Sequence, residues 1–397
     1  MLERRQKLAV IGWIVLTAVI TTVAVIHLVI NPVLYYSIRE TPQTFELVSK
    51  NDTDDIDYSL DELPLDDKTT LLNITDFRYI INNNVCTTHA PPMILAFVHS
   101  SPKNFQLRDL IRNTWGQELE LVFLLGETSE SLQKDINAEN AAHHDIVQGN
   151  FVDSYRNLTY KHVMGFKWAS YHCPGAKYLL KTDDDVFVNV IYLRKYIESK
   201  LSTSGARKLI LCDIQLTVVQ RSFRSKWRVS PKEYDKRWYP QVCKGWAILY
   251  SPDVSFQLYK LARKTPYFWI DDVYVSGILA PKLNVTLSAV YPLAIYKESL
   301  NDILSKPNLE PKDDFLFCYP SDFITEMDSL YKIVKNTTRY YDNLPQNETC
   351  IQTLVPFSKL ELCTSFPRKR RQCLEVSFVP QEKQLDILIG ILADSLL

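Results

Sequence analysis

The sequence predicts an α/β domain with a central sheet, occupying about residues 91–310. Two patterns lead to this prediction. Short apolar runs alternate with longer mixed segments across this region, and one of the runs leads directly into three consecutive aspartates. Alternating strand and helix patterns are typical of domains in which helices cover a sheet. Hydrophobic residues make up 46% of the chain, which is enough for a large core and excludes wholesale disorder.

The N-terminal part of the chain predicts a transmembrane signal-anchor at residues 8–30. This segment contains no Asp, Glu, Lys or Arg, and a helix of its length, about 35 Å, crosses a hydrocarbon core of about 30 Å. A cleaved signal peptide is the alternative, but its apolar region is shorter and ends in small residues. Arg4, Arg5 and Lys7 precede the segment. Because basic residues stay on the cytoplasmic side, residues 1–7 are expected to form a cytoplasmic tail and the rest of the chain to be lumenal.

Residues 31–90 predict a lumenal stem, because much of this segment is polar and acidic. Calcium binding is the alternative for its run of aspartates, but the run lacks the Gly and the terminal Glu of an EF-hand loop. Six N-x-[ST] glycosylation sequons follow the anchor, at Asn51, Asn73, Asn157, Asn284, Asn336 and Asn347. Together with the anchor they predict a secretory-pathway glycoprotein, in which the eight cysteines are expected to be paired.

Hydrophobic periodicity and capping residues predict the elements of the domain. Strands are expected at residues 93–98, 121–125, 178–180, 208–212 and 246–250, and helices at residues 105–115, 129–142 and 154–171. Residues 311–397 form a less regular C-terminal extension, whose apolar end is expected to pack on the domain as a helix.

The most informative pattern is the apolar strand that runs into Asp183, Asp184 and Asp185. Three adjacent like charges repel one another, and hydrophobic packing gives no reason for them at that place. A divalent cation such as Mn²⁺ or Mg²⁺ resolves the conflict, since it binds one or two carboxylates together with substrate phosphates. The carboxyl ends of strands are also where open α/β sheets bind ligands. An acidic turn between two strands is the alternative interpretation.

A second acidic pair, Asp271 and Asp272, directly follows Trp269 and Ile270. An aspartate beside a hydrophobic wall can have a raised pKa and act as a general base. An exposed loop or a helix N-cap is the alternative, and the pair taken alone favours that alternative.

Six sequence blocks make the chain resemble the β-1,3-galactosyltransferase family, which includes β-1,3-N-acetylglucosaminyltransferases. The blocks are R-x-x-I-R-x-T-W at residues 108–115, F-L-L-G at 123–126, D-F-x-D-x-Y-x-N-L-T-x-K at 150–161 with Asn150 for the first Asp, K-x-D-D-D-x-F-V-N at 181–189, Y-P-x-x-C-x-G at 239–245, and E-D-V at 271–273 with Asp271 for the Glu. The resemblance covers about residues 91–295. Six blocks in the family's order are far more specific than any one of them.

The resemblance implies a GT-A-like nucleotide-sugar-binding fold with a central mixed sheet, a UDP-sugar donor, Mn²⁺ or Mg²⁺ as cofactor, and inversion at the anomeric carbon. By position it assigns Asp185 and Asp183 to the metal, Asp183 and Asp184 to the donor, and the role of general base to Asp272. The implied activity is transfer of a sugar, with galactose the first candidate, to the 3-hydroxyl of a glycan acceptor on protein or lipid. Members of the family are type II Golgi proteins, so a Golgi membrane location is implied as well.

Arg108 and Arg112 lie one turn apart on the same face of a predicted helix. Both are assigned to the donor because arginine suits phosphate groups, but a buried ion pair that fixes the helix to the core is an equal alternative. Lys161 either faces the site or is a solvated helix residue, and Trp115 is expected to lie in the core.

The turn after Cys243 departs from the family pattern, because Lys244, Trp246 and Ala247 stand where small residues are usual. This departure leaves the donor sugar open between galactose, N-acetylglucosamine and N-acetylgalactosamine. It also motivates a second hypothesis, a catalytically silent family member that acts as a membrane-anchored binding or chaperone subunit. The net charge of −1 argues against a nucleic-acid partner, because such binding relies on a basic surface.

Overall fold

The computed structural model describes residues 45–48, 58–86, 91–310, 313–320, 322–342, 361–363 and 373–375. The chain divides into two compact units, Met1–Asp342 and Asn343–Leu397. In the second unit, the strands Glu361–Cys363 and Cys373–Glu375 form an antiparallel pair. The predicted membrane span at residues 8–30 and the predicted C-terminal helix lie outside the described residues. Within the described residues, no helix combines the length and the apolar character needed to cross a bilayer.

An eight-stranded mixed sheet forms the centre of the first unit. The strands of this unit, in chain order, are β1 (Glu46–Leu47), β2 (Tyr79–Asn82), β3 (Ile94–His99), β4 (Glu120–Glu127), β5 (Ile146–Val152), β6 (Tyr178–Asp183), β7 (Phe187–Val188), β8 (Ala206–Arg207), β9 (Ile210–Gln215), β10 (Val242–Tyr250), β11 (Ser288–Ala289), β12 (Ala294–Ile295) and β13 (Phe317–Cys318). The central sheet has the order β11-β9-β10-β6-β3-β4-β5-β2. The strands β3, β4, β5 and β6 are parallel, whereas β2 and β10 join them in antiparallel orientation. The predicted α/β class and mixed sheet are confirmed.

Helices cover both faces of this sheet. They are α1 (Phe105–Asn113), α2 (Glu130–His143), α3 (Leu158–His172), α4 (Val190–Lys200), α5 (Pro252–Ala262), α6 (Lys297–Leu304) and α7 (Phe323–Asp342), and a π-helical segment spans Val273–Leu279. Alternate residues of β3 belong to different hydrophobic clusters, Leu95 and Phe97 to one and Ile94, Ala96 and Val98 to the other. Residues of α3 and α5 belong to the first cluster, and residues of α1, α2 and α4 to the second. Because β3 is buried on both faces, its sequence is a continuous apolar run.

The strands and helices predicted within residues 91–310 are all present, with their ends displaced by a few residues. The strand β5 is not predicted, because Gln148, Gly149 and Asn150 interrupt its apolar residues. The helices α4 and α5 are also absent from the predicted set.

The structured part of the first unit begins before residue 91, earlier than predicted. The strand β2 pairs with β5 at one edge of the central sheet, and Cys86 forms a disulfide with Cys173 after α3. Further towards the N-terminus, β1 pairs with β8, and Glu46 binds Lys208 at 2.6 Å. The segment assigned to the stem therefore contributes part of the folded domain.

A buried carboxylate explains why acidic composition gave the wrong start for the folded domain. Asp67 is only 1% exposed, and its Oδ2 accepts hydrogen bonds from the hydroxyls of Tyr171 at 2.8 Å and Tyr259 at 2.6 Å. Lys167 and Arg263 complete its surroundings as ion-pair partners. The charge is thus buried among donors of α3 and α5 and of the residue after α5.

The first unit also continues past the predicted end at residue 310. The strand β13 pairs with β12 and β7, and α7 contacts α1. Lys335 of α7 forms an ion pair with Glu118 at 2.7 Å. The first part of the predicted C-terminal extension therefore belongs to the domain.

Candidate active site

The strand β6 carries the acidic cluster to the carboxyl edge of the parallel strands. In the sheet, β3 lies between β4 and β6, so the chain moves to one side of β3 for β4 and β5 and to the other side for β6. His99 at the end of β3 is in register with Asp183 at the end of β6. The cluster therefore lies where the strand order reverses, the usual ligand site of an open α/β sheet. Its predicted position at the carboxyl end of a strand is confirmed.

Asp184 is held in place by two side-chain donors of the protein. It is buried, and its Oδ2 accepts hydrogen bonds from the Ser100 hydroxyl at 2.7 Å and from the Asn104 side-chain amide at 2.8 Å. Both donors lie in the segment between β3 and α1, so Asp184 fixes that segment to the end of β6. Its contact with a donor stays a prediction.

Asp183 and Asp185 keep carboxylate oxygens available for a ligand. Asp183 accepts a hydrogen bond from the Lys181 ammonium at 2.5 Å, and its side chain remains 37% exposed. Asp185 has a long hydrogen bond of 3.4 Å from the Tyr319 hydroxyl to Oδ2, whereas Oδ1 is buried without a partner. Because a buried carboxylate oxygen is costly to leave unpaired, Asp185 is suited to receive a cation.

The chemistry of these two carboxylates fits a divalent cation that is bound together with substrate phosphates. In the part of the chain that the structure describes, no group of three or more His, Cys, Asp and Glu side chains could hold a metal ion by itself. A cation such as Mg²⁺ needs only one or two carboxylates when phosphates and waters complete its coordination. The unpaired oxygen of Asp185 matches that smaller requirement.

Lys181 connects the acidic cluster to the second acidic pair. Its buried ammonium donates to the Asp183 carboxylate and to the carbonyl of Gly245 in β10. Gly245 faces Asp272, and a Cβ atom at Gly245 would lie 3.3 Å from the Asp272 Cβ. Burial opposes the charge of Lys181, but Asp183 and Asp271 outweigh it and raise the pKa of the lysine. The site therefore contains a fixed cation between its two groups of acids.

Asp271 and Asp272 have different electrostatic surroundings. Asp271 Oδ2 lies 3.0 Å from His162 Nδ1, and the other ring nitrogen of His162 lies 3.2 Å from the Tyr250 hydroxyl. Burial opposes the charge of Asp271, but the hydrogen bond with His162 holds its pKa below the ordinary value. Asp272 accepts a hydrogen bond from the backbone N–H of Val273 at 2.7 Å, and burial together with the negative Asp271 raises its pKa to about 7. A carboxyl group that titrates near neutral pH is suited to general-base catalysis.

A cavity of about 420 Å³ opens beside both groups of acids. Asp183, Asp271 and Asp272 line it together with aromatic residues, which are Tyr155, Trp227, Tyr239, Trp246 and Trp269. The Tyr239 hydroxyl and the indole nitrogens of Trp246 and Trp269 are buried and have no hydrogen-bond partner. Aromatic walls with a few unpaired polar groups are typical of sites for small polar ligands.

Arg108 and Arg112 are both held in ion pairs. The fully buried Arg108 pairs with Glu139 at 2.6 Å and donates to the Ser100 hydroxyl at 2.9 Å. Arg112 pairs with Glu139 at 2.8 Å and with Asp145 at 2.7 Å. Of the two alternatives for these arginines, the buried ion pair is the one observed, and a diphosphate contact stays a prediction. Because Ser100 also binds the acidic cluster, Arg108 supports the cluster indirectly.

Lys161 is buried and supports the same segment. Its ammonium donates to the Ser100 carbonyl at 2.5 Å and to the Asp153 carboxylate at 2.8 Å, so the solvated alternative for this residue is wrong. Trp115 is 1% exposed, which confirms its predicted place in the core.

The substituted turn after Cys243 is part of the cavity wall. Lys244 forms an ion pair with Asp213 at 2.9 Å and donates to the Tyr296 hydroxyl at 2.6 Å. Lys244, Gly245 and Trp246 all line the cavity. The departure from the family pattern therefore changes the shape and charge of the candidate site itself.

Sequence reasoning assigns no role to His162, to Lys181 or to most of the aromatic wall. A lysine within the apolar strand β6 is a usable signal, because a buried ammonium requires a nearby carboxylate. For His162 no such signal exists, because its partner Asp271 is 109 residues away in the chain.

The cysteines are partly paired as expected. Cys86 is linked to Cys173 and Cys212 to Cys243. In contrast to the expectation, the buried Cys318 forms no disulfide with any cysteine in the part of the chain that the structure describes. Disulfides are typical of proteins that fold in oxidising compartments.

The predicted glycosylation sites differ in accessibility. Asn73, Asn284 and Asn336 are exposed, whereas Asn157 is partly buried and donates from its side-chain nitrogen to the Val152 carbonyl at 2.8 Å. Asn51 and Asn347 lie outside the described residues. Occupancy stays a prediction at all six positions.

Comparison with known proteins relates this sequence to the galactosyltransferases. A family model described as Galactosyltransferase matches residues 106–290. Beta-1,3-galactosyltransferase 5 of Pan paniscus is 37% identical over 209 residues, covering 51% of this chain and 68% of the relative. Beta-1,3-galactosyltransferase 1 of Mus musculus is 34% identical over 227 residues, covering 55% and 69%. A solved glycosyltransferase involved in the glycosylation of the major capsid of PBCV-1 matches with 14% identity and a TM-score of 0.34, over 60% of this chain and 98% of that chain.

The chain belongs to the galactosyltransferase family that contains the β-1,3-galactosyltransferases. It is therefore a glycosyltransferase, and a sugar donor and a glycan acceptor are its substrates.

Proposed function

We propose that the protein is an inverting hexosyltransferase that moves galactose from UDP-galactose to the 3-hydroxyl of a glycan acceptor in β-1,3 linkage. The observation that carries this proposal is Asp272, a carboxyl group on the cavity wall whose pKa is raised to about 7. Among the carboxylates of the cavity it combines a near-neutral pKa with a place outside the cluster assigned to the donor. It also matches the position of the base in the family whose sequence blocks this chain carries.

Asp272 accepts the proton of the acceptor hydroxyl as that oxygen forms its bond to the anomeric carbon. The bond between this carbon and the β-phosphate oxygen breaks, and its electron pair leaves with UDP. Attack from the face opposite the leaving group inverts the configuration, as in the single displacement of inverting glycosidases. Asp271 stays ionised through His162, so the proton is taken by its neighbour.

The leaving diphosphate lies near Asp183 and Asp185, which would hold Mn²⁺ or Mg²⁺. Such a cation, when bound, neutralises the charge that develops on UDP. Lys181 supplies a further fixed positive charge at Asp183. Asp184 contributes by fixing the segment between β3 and α1, and the arginines Arg108 and Arg112 stabilise α1.

The proposed location is the Golgi membrane, in type II orientation with a lumenal catalytic domain. Support comes from the uncharged segment at residues 8–30, the basic residues before it, the sequons after it, and the two disulfides.

The test is a transfer assay with the full-length chain in detergent, Mn²⁺, and UDP-galactose, UDP-N-acetylglucosamine and UDP-N-acetylgalactosamine as donors. D272N is expected to lower kcat by about 10³-fold, while D328N, a change at a half-exposed aspartate of α7, serves as the matched control. Linkage and anomeric configuration of the product are read by NMR.

Three results would contradict the proposal. Transfer unaffected by D272N would exclude Asp272 as the base. A product with retained configuration would exclude direct displacement. Binding of UDP without transfer or hydrolysis of any donor would instead support a catalytically silent binding subunit.

A further inference from the structure

A strongly basic loop joins β9 to β10 beside the cavity. This basic loop, residues 216–241, contains seven Lys and Arg residues and only two acidic ones, a net charge of +5, in a chain whose net charge is −1. The whole-chain value therefore conceals a local positive field. Such a field raises the local concentration of anionic ligands.

The basic loop is an ordered part of the domain. Val219 and Val229 are buried in the hydrophobic core, and the backbone of Val229 donates to Gln220 at 2.8 Å. The guanidinium of Arg221 donates to the carbonyls of Val229, Tyr234 and Lys236 at 2.7 to 2.9 Å. At its base the disulfide between Cys212 and Cys243 joins the two flanking strands. The backbone of the loop consequently has a fixed position, and its charged side chains start from defined points beside the cavity.

Two cations lie directly over aromatic rings that line the cavity. The Lys226 ammonium is 4.5 Å from the centre of the Trp227 ring and 5.3 Å from that of Tyr155. The Arg156 guanidinium is 4.2 Å from the centre of the Trp269 ring. Tyr155, Trp227 and Trp269 all line the cavity, and the Trp227 indole donates to the Tyr155 hydroxyl at 2.6 Å. The mouth of the cavity thus combines aromatic surface with fixed positive charge.

These cations have little counter-charge among the described residues. Lys226 has no ion-pair partner there, and Arg156 has only Glu233 at a distance of 3.8 Å. Lys226 and Arg156 form no ion pair with the acidic groups that line the cavity. Those groups have other hydrogen-bond partners: Lys181 for Asp183, His162 for Asp271 and the Val273 backbone for Asp272. A neutral sugar binds through stacking surfaces and hydrogen bonds. Two cations beside those surfaces would add nothing to its binding.

We propose that the acceptor glycan carries an acidic group, a carboxylate or a sulfate ester, and that Lys226 and Arg156 bind it while the reacting hydroxyl lies at Asp272. This inference rests on the proposed function, since it names the acceptor class of the same site. The aromatic rings pack against the sugar, and the two cations select the charged glycan over its neutral counterpart.

The test compares matched acceptors with the full-length enzyme. One pair is p-nitrophenyl β-glucuronide and p-nitrophenyl β-glucoside, and the other is p-nitrophenyl β-N-acetylglucosaminide with and without a 6-O-sulfate. The acidic member of at least one pair is expected to have the lower KM, and which pair responds distinguishes a carboxylate from a sulfate ester. K226Q and R156Q are each expected to raise that KM about five-fold, and the double variant about twenty-fold.

Two control variants separate charge from fold. K226R keeps the charge and should retain the preference, and K332Q removes an exposed lysine of α7 and should leave every KM unchanged. The ratio of the KM values for the neutral and the acidic acceptor should fall in K226Q and stay unchanged in K332Q. Because long-range attraction is screened by salt, the acidic preference should shrink between 50 mM and 500 mM NaCl.

Equal KM values for acidic and neutral members of both pairs would overturn the inference. So would a rise in the UDP-sugar KM in K226Q, which would assign the loop to the donor. Loss of binding to phosphatidylserine vesicles in K226Q with unchanged acceptor KM would assign it to a membrane surface.

Binding of the same glycans, measured by ligand-observed NMR without donor, keeps the two proposals distinguishable. Charge-selective binding that is lost in K226Q and R156Q supports the inference even if no donor is turned over. Absence of selective binding in an enzyme that does transfer sugar refutes the inference alone.

Discussion

Adjacent aspartates with different partners give the candidate site its acid–base asymmetry. Asp271 is bound by His162, whereas the hydrogen bond to Asp272 comes from the Val273 backbone. Burial makes ionisation of Asp272 costly, and the negative charge of Asp271 adds to that cost, so that the pKa of Asp272 is raised to about 7. Of these two chemically identical carboxyl groups, Asp272 therefore has the higher affinity for a proton.

Replacing Asp271 by asparagine is expected to shift the pH profile of transfer to lower pH. In the native enzyme, kcat/KM should fall as the pH drops below about 7, because Asp272 becomes protonated. D271N removes the negative neighbour, so the pKa of Asp272 should drop and the acidic limb should move by about one pH unit. Profiles at saturating donor and Mn²⁺ measure this. An acidic limb that stays in place or moves upward would contradict the assignment.

The D272N substitution is expected to stabilise the folded protein while it removes activity. The folded-state pKa of Asp272 is raised from 3.8 to about 7, so folding is favoured by the protonated form. This contribution is fully present below pH 3.8 and is lost as the pH rises through about 7. At pH 8 the variant should therefore be more stable by on the order of 1 kcal/mol or more. Melting temperatures at pH 8 and pH 5 test this, with D328N as control, and a gain that grows toward low pH would refute it.

Single residues of the site were predictable where their chemistry conflicts with packing. Hydrophobic packing gives no reason for three consecutive carboxylates after an apolar strand, so Asp183 and Asp185 stand out in the sequence. Asp184 has the same side chain but is held by Ser100 and Asn104, and the sequence gives no means to separate these roles. Arg108 shows the same limit, because a phosphate and a glutamate satisfy a guanidinium equally well.

At the scale of elements, β10 and its disulfide organise the cavity wall. Its pairing with β9 is irregular between Cys243 and Ile248, and the intervening residues include Lys244, Gly245 and Trp246 of the wall. The disulfide between Cys243 and Cys212 links the two ends of the segment that contains the basic loop, at a sequence separation of 31 residues. The cross-link therefore restrains the loop and the strand together.

Removing this disulfide is expected to weaken acceptor binding and lower stability. The double variant C212A/C243A should lose up to about 4 kcal/mol, because the closed loop gains conformational freedom in the unfolded chain. Melting temperature and the acceptor KM measure the two effects. C318A, which changes a buried cysteine outside both disulfides, is the matched control, and equal losses in both variants would show that cavity formation rather than the cross-link is responsible.

Elements with a clear period were predictable, and irregular ones were not. The apolar run of β3 and the long mixed segment that ends before Cys173 and Pro174 are local signals, and both β3 and α3 are present. The strand β5 has polar residues within it, and Gln148 is buried there because it binds the Gly126 carbonyl at 2.9 Å and Gln133 at 2.8 Å. The π-helical segment after Asp272 likewise depends on long-range packing. Such polar contacts are fixed by the tertiary structure and leave no periodic trace.

For the whole molecule, Asp67 joins the N-terminal segment to the helical layer. Its carboxylate is bound by groups of α3 and α5 and by Arg263, the residue that follows α5. D67A is expected to lower the free energy of unfolding by about 3 kcal/mol or more, because Lys167 and Arg263 would lose a buried counter-charge. D66N, at a neighbouring carboxylate that is 66% exposed, should change it by less than about 1 kcal/mol. Thermal unfolding tests both, and similar effects would contradict the buried role.

Domain boundaries were the least predictable feature of the whole molecule. Acidic composition before residue 91 is typical of solvated chain, yet one such carboxylate is buried and β2 extends the sheet. The irregular pattern after residue 310 likewise conceals β13 and α7. Composition reports the average environment of a segment, whereas a boundary depends on a few residues that contact the rest of the domain.

The pairing of β1 with β8 sets the length of the linker between the proposed membrane span and the catalytic domain. If residues 8–30 span the membrane as we propose, the connection from the bilayer to the first paired strand consists of residues 31–45. Even fully extended, this connection reaches at most about 54 Å. The catalytic domain would then stay close to the lumenal leaflet. Acceptors presented near the bilayer would therefore encounter it far more often than glycans free in the lumen.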